Sequence, residues 1–141
     1  METMHWEFPD TGGNYSGAGA AASKIKNILK RLGIAYEVIR RVSIASYEAE
    51  INITAYADEG TLLVDIDPKE ITITAADRGP GIPDIDRAMQ EGFSTATPAI
   101  RELGFGAGMG LPNIQRATDW MTIDSTVGKG TVLTFKIFLQ G

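Results

Sequence analysis

From Ala18 to Leu32 the apolar residues Ala18, Ala22, Ile25, Leu29 and Leu32 recur at spacings of four, three, four and three. That period keeps them on one side of a helix starting near Ser16, and Gly33 supplies the residue that most readily ends one. A longer helix is predicted from about Ala35 to Ala57, with Val38, Val42, Ala45, Ala49, Ile53 and Tyr56 forming its stripe. Then the period changes. LLVDID and EITITA are apolar, β-branched or alternating, and Pro68-Lys69 between them reads as a hairpin. Before all of these, His5 to Phe8 reads as a short first strand ended by Pro9-Asp10 and the glycine-rich TGGNYSGAG.

Past the hairpin, DRGPGIPD is dense in turn residues and DIDRAMQEG reads as a short helix. FSTATPAIRELGFGAG is a long connection of low regularity, the kind of loop that serves as a lid. The chain closes with helix LPNIQRATDW, strand MTIDST, turn VGKG and strand TVLTFKIFL, whose Leu133, Phe135, Ile137 and Leu139 share one side. Strands grouped in hairpins and helices that each need one buried face predict an α+β two-layer sandwich, a mostly antiparallel sheet with helices on one face. Its 141 residues suit a single domain spanning 1–141.

Composition narrows the function. The chain has no cysteine, so disulfides, thiol nucleophiles and most structural zinc sites drop out, and the cytoplasm is the expected location. A net charge of −5, with basic residues scattered over presumed helix faces, argues against nucleic-acid binding. METMHWEFPD lacks the apolar core of a signal peptide, and no apolar run is long enough for a membrane span.

Four places carry candidate chemistry. Glu48 and Asn52 lie four apart on the long helix, so they project from nearly one side. At about 100° per residue Asn52 sits about 20° from Ala45, beside the apolar stripe. Either Glu48 reaches out to water and Asn52 caps a loop, or both look into a cavity, one as a base and one as an oxygen ligand for a hard cation. Asp77-Arg78-Gly79-Pro80-Gly81 puts an acid at a strand end beside two glycines, which suits a tight turn or a flat ligand close to the backbone. GFGAGMGL places glycine at 104, 106, 108 and 110, and Gly128-Lys129-Gly130-Thr131 is by itself a hairpin turn. The glycines fit neither the dinucleotide pattern G-x-G-x-x-G nor the Walker pattern G-x-x-x-x-G-K-[ST].

Taken together, Glu48-x-x-x-Asn52, Asp77-x-Gly79-x-Gly81, Gly106-x-Gly108-x-Gly110 and Gly128-x-Gly130-Thr131 resemble the four boxes of the GHKL superfamily of gyrase, Hsp90, histidine kinase and MutL ATPases. The resemblance runs from about Phe8 to Phe138. Within that superfamily the compact chain is most similar to the anti-sigma-factor serine kinases. AMQEGFSTA, GMGLPNIQR and Tyr56-Ala57 look more like their switch-kinase branch than the branch that binds sigma factors directly.

The resemblance implies a Bergerat-type sandwich that binds ATP and Mg²⁺. It implies that Asp77 receives the adenine amino group with Thr131 assisting through a shared water, and that Gly79 and Gly81 leave room for the base. It gives Asn52 to Mg²⁺ and makes Glu48 the general base toward a partner's Ser. Gly106, Gly108 and Gly110 close on the phosphates, and Gly104 is a hinge of a lid spanning about 92–110. Ser94, Thr95, Arg101 and Lys129 are further candidates for phosphate contact. The implied partner is a small anti-anti-sigma (STAS-like) domain bearing the target Ser, with a sigma factor or a downstream phosphatase as further partners. A homodimer with the first strand at its contact is also implied. The alternative activity is a nucleotide-gated module that sequesters its partner without phosphorylating it.

Overall fold

Alternation of buried and solvent-facing residues along five strands builds one antiparallel sheet, in the order β1-β2-β3-β5-β4. The strands are β1 (Met4–Thr11), β2 (Glu59–Ile66), β3 (Glu70–Arg78), β4 (Trp120–Thr126) and β5 (Gly130–Phe138). The computed structural model describes residues 3–90 and 110–139. Its helices are α1 (Ala20–Arg31), α2 (Tyr36–Tyr56), the single turn α3 (Ile85–Ala88) and α4 (Gly110–Ala117). A 3-10 turn at Tyr15–Gly17 precedes α1.

Register aligns the core. Trp6 faces Val64 and Phe8 faces Leu62; Val64 pairs with Ile73, Ile73 with Phe135, and Phe135 with Met121. These residues share the sheet face that meets Ile25 and Leu29 of α1, Val42, Ala45, Ala49 and Ile53 of α2, and Ile114 of α4. The predicted two-layer α+β sandwich, helices on one face, is what forms.

Several boundaries differ from the sequence expectation, each for a local reason. β1 runs on through Pro9 and Asp10, because an edge strand tolerates a residue with no N–H to donate on its open side. Helix α1 begins at Ala20, not Ser16: Gly19 has φ +90°, so Ala18 lies outside the helix. Its other end matches expectation, with Gly33 at φ +72°. The bonds Gly33 N–H to Lys30 O and Ile34 N–H to Leu29 O, both 3.1 Å, make a Schellman motif. Strand β3 extends through Asp77 and Arg78, and Trp120 opens β4 instead of closing a helix.

Apolar periodicity misses a polar stripe inside α2. Ser46, Glu50 and Thr54 are four apart and buried, Glu50 only 2% exposed. Ser46 bonds back to the Val42 carbonyl, and Thr54 Oγ1 donates to Asp10 Oδ2 at 2.7 Å. The Glu50 carboxylate accepts the N–H groups of Ala21 and Ala22 at 3.1 and 3.0 Å. Gly19 offers α1 no capping side chain, so a carboxylate from α2 satisfies the first-turn donors instead. This cap fixes α1 against the middle of α2. At the far side, Arg41 of α2 donates to the Ala117 carbonyl at 2.9 Å and to Asp119 at 2.8 Å, fixing the end of α4.

Candidate functional site

Two clusters of candidate residues lie toward opposite ends of one stretch of α2. The first joins the loop after β3 to the β4–β5 hairpin. Gly79 N–H donates to the Lys129 carbonyl at 3.1 Å, Gly128 N–H to the Pro80 carbonyl at 2.8 Å, and Thr131 N–H to Asp77 Oδ1 at 3.2 Å. Close backbone contact explains the glycines here. A Cβ on Gly130 would lie 2.1 Å from the Asp77 carbonyl oxygen, and one on Gly81, at φ +76°, would lie 2.5 Å from that of Thr126. A Cβ on Gly79 would meet Ala57 Cα at 3.0 Å and Asp77 Oδ1 at 3.4 Å. The loop and the hairpin therefore interlock, and Asp77 is held beside the C-terminal end of α2. Burial pushes the Asp77 carboxyl above its ordinary range, and the Thr131 N–H partly opposes that shift.

The second cluster lies where α2 meets the first residue of α4. A Cβ on Gly110 would approach Asn52 Oδ1 to 3.1 Å and Glu48 Oε2 to 3.2 Å. Both side chains, half-buried, thus converge on the bare backbone of one glycine. Burial raises the Glu48 carboxyl above its ordinary range, while a hydrogen bond from the Asn113 side chain pulls it partly back. Arg116 Nη2 donates to Asn113 Oδ1 at 2.7 Å, so the amide presents its NH₂ side to Glu48.

The structure places Glu48, Asn52 and Gly110 together, and Asp77, Gly79, Gly81 and Thr131 together. Lys129 is exposed in the hairpin turn, contributing its carbonyl. Gly104, Gly106, Gly108, Ser94, Thr95, Arg101 and most of the expected lid lie outside the described residues. Among the described residues no group of three or more His, Asp or Glu side chains gathers as a metal cage, and no helix is long and apolar enough to cross a membrane. Sequence reasoning passed over Asn113 and Ser125, whose hydroxyl lies 2.8 Å from Thr131 Oγ1. The available signal for Asn113 was its place three residues after Gly110, within reach of whatever that glycine faces.

A family model described as histidine kinase-, DNA gyrase B-, and HSP90-like ATPase matches residues 25–141. The chain belongs to that ATPase family. Among its relatives, the serine/threonine-protein kinase RsbT of Bacillus subtilis (strain 168) is 36% identical over 116 residues, which is 79% of this chain and 81% of the relative. An anti-sigma F factor of Thermoanaerobacter sp. (strain X514) is 36% identical over 97 residues, 69% of this chain and 60% of its own length. One of Clostridium acetobutylicum is 33% identical over 105 residues, 71% and 70% of the two chains.

Proposed function

We propose that this chain is an ATP-dependent protein serine kinase that phosphorylates a Ser on a small anti-anti-sigma-like partner domain and so switches a transcriptional or stress response. The observation that carries the reading is the layout along α2. Glu48 and Ala57 are nine residues apart, a rise of about 14 Å at 1.5 Å per residue. A base beside Asp77 and Ala57 and a terminal phosphate beside Gly110 fit the two ends of that span. Similarity to RsbT, named a serine/threonine-protein kinase, supports the same activity.

Asp77 is the acceptor for an adenine amino group, with Thr131 next to it through its backbone N–H. The oxygen donors at Gly110 suit Mg²⁺, which keeps most of its waters and takes one or two protein ligands beside phosphate oxygens, so Asn52 is its protein ligand here. Bound ATP and Mg²⁺ supply the phosphoryl group and neutralise its charge. The chain itself supplies positioning and a base. The Glu48 carboxylate takes the hydroxyl proton of the partner's Ser as the new Ser O–P bond forms and ADP leaves. A carboxyl raised by burial is a stronger base, provided it is ionised at working pH. Gly106 and Gly108 join Gly110 at the phosphates in this reading, with Gly104 as the hinge of the lid, and the cell interior is where the ATP is.

A second reading, sequestration of a partner under nucleotide control, draws on the anti-sigma F factor relatives. Mass spectrometry of a Ser-bearing partner after incubation with the chain and Mg-ATP separates the two. Addition of one phosphate to the partner, lost in Glu48→Gln, supports the kinase; saturating binding with no added phosphate supports sequestration.

A further inference from the structure

One face of α2 continues from Glu48, toward the start of the helix, into a groove against α4. At about 100° per residue, Arg41 and Ile44 project within about 40° of Glu48. With Arg40, Asn113, Arg116 and Asp119 they border an open groove of about 560 Å³. Asn113 belongs to both places: its side chain hydrogen-bonds to Glu48 and lines the groove, with Arg116 Nη2 donating to its Oδ1 at 2.7 Å. The space is ligand-sized, but its lining is charged where small-molecule clefts are mostly apolar. The guanidiniums of Arg40, Arg41 and Arg116 face the carboxylates of Glu37 and Asp119, a local excess of positive charge in a chain of net charge −5. Their commitments differ. Arg41 is tied to the Ala117 carbonyl and to Asp119, and Arg116 holds Asn113. Arg40 pairs with Glu37 and both are exposed. An exposed pair of that kind is worth so little that an incoming carboxylate can take its place.

We propose that this groove docks the partner segment flanking the target Ser, and that Arg40 selects an acidic residue about three or four positions from that Ser. The inference rests on the kinase reading above. A Ser whose hydroxyl reaches Glu48 lays its own chain across the neighbouring surface, and the groove is a concave, positively charged path leading away from Glu48. The spacing follows from helix geometry. From Arg40 to Glu48 is eight residues, about 12 Å along α2 at 1.5 Å per residue. An extended chain covers that distance in about three or four residues at about 3.3 Å each. A carboxylate at that place meets the planar fork of a guanidinium, whereas a Lys meets like charge. Arg40 is remote from the reacting atoms, so it determines specificity through substrate binding and acts on KM, not on kcat.

The test is phosphate transfer from Mg-ATP to a positional-scanning library of Ser-centred peptides by the full chain, Arg40→Ala and Arg40→Glu. Values of kcat and KM are then measured for the best peptide and for versions with its acidic residue replaced by Gln or by Lys. The unaltered chain should prefer Asp or Glu at about three or four positions from the Ser, by about fivefold in kcat/KM. Arg40→Ala should lose that preference through KM with kcat unchanged. Arg40→Glu should turn the preference toward Lys, a reversal that a merely structural role would not produce. Calorimetric affinity for Mg-ATP should be unchanged in both variants. Absence of an acidic preference at those positions, or the same preference in Arg40→Glu, would overturn the inference and leave Arg40 a surface ion pair. Far-UV circular dichroism verifies each fold, and the Arg40→Ala ratio decides the matter if Arg40→Glu does not fold. An unaltered chain that binds Mg-ATP yet phosphorylates no peptide would instead count against the kinase reading, and this inference with it.

Discussion

The two ends of the proposed site are built on different principles. At the proposed base end, two loops are stitched by backbone hydrogen bonds, and glycines at 81 and 130 let them approach closer than any side chain allows. At the proposed phosphate end, side chains of α2 converge on a single glycine of α4, held by helix packing and the Arg41 bonds to Ala117 and Asp119. A site made of backbone resists substitution by failing to fold, whereas one made of side chains can lose its chemistry while the fold persists. The base end is therefore suited to binding and the phosphate end to reaction.

That contrast can be broken by substitution. The largest effect is expected for Glu48→Gln, which keeps the shape and removes the base. Phosphate transfer in a single turnover should fall about 10²–10⁴-fold, with ATP affinity nearly unchanged. At the base end, Gly130→Ala should cost stability outright, because its methyl would overlap the Asp77 carbonyl. A loss of about 3 kcal/mol or more in urea unfolding is expected, in the class of overpacking and backbone strain. Gly128→Ala is the control: φ is +82° but nothing lies near the added methyl, so the loss should be about 1–2 kcal/mol.

Away from both ends, Glu50→Ala should lose about 1–3 kcal/mol through the unpaired, buried first-turn donors of α1. The smallest effect sharpens the comparison through pH. In the proposed reaction Glu48 must be ionised to act, and burial raises its carboxyl, so kcat should fall with decreasing pH earlier than for an ordinary glutamate. The Asn113 hydrogen bond favours the ionised form. Its removal in Asn113→Ala should therefore move the acid limb of the kcat profile to still higher pH. A limb that stays in place or moves down would remove Asn113 from the support of Glu48.

Much of this architecture can be read in the chain because it depends on apolar spacing. Ile25, Leu29, Val42, Ala45, Ala49 and Ile53 declare two helices and their faces, and Gly33 marks a helix end through the positive φ it must adopt. The four boxes are legible for the same local reason, since each is a spelling only a few residues long. The rest depends on partners remote in sequence. Glu50 looks like a surface glutamate until Gly19 is seen to leave α1 uncapped. Ser125 looks like any strand serine until Ile82 and Thr131 arrive beside it. Pro9 reads as a terminator because the sequence does not say that β1 lies at an edge.

The most direct test of a binding end and a reacting end is calorimetric titration with Mg-ATP of the unaltered chain, Asp77→Asn and Glu48→Gln under one condition. The account predicts that Asp77→Asn loses binding while Glu48→Gln keeps it. Retained binding in Asp77→Asn, together with its loss in Glu48→Gln, would contradict the division of labour along α2.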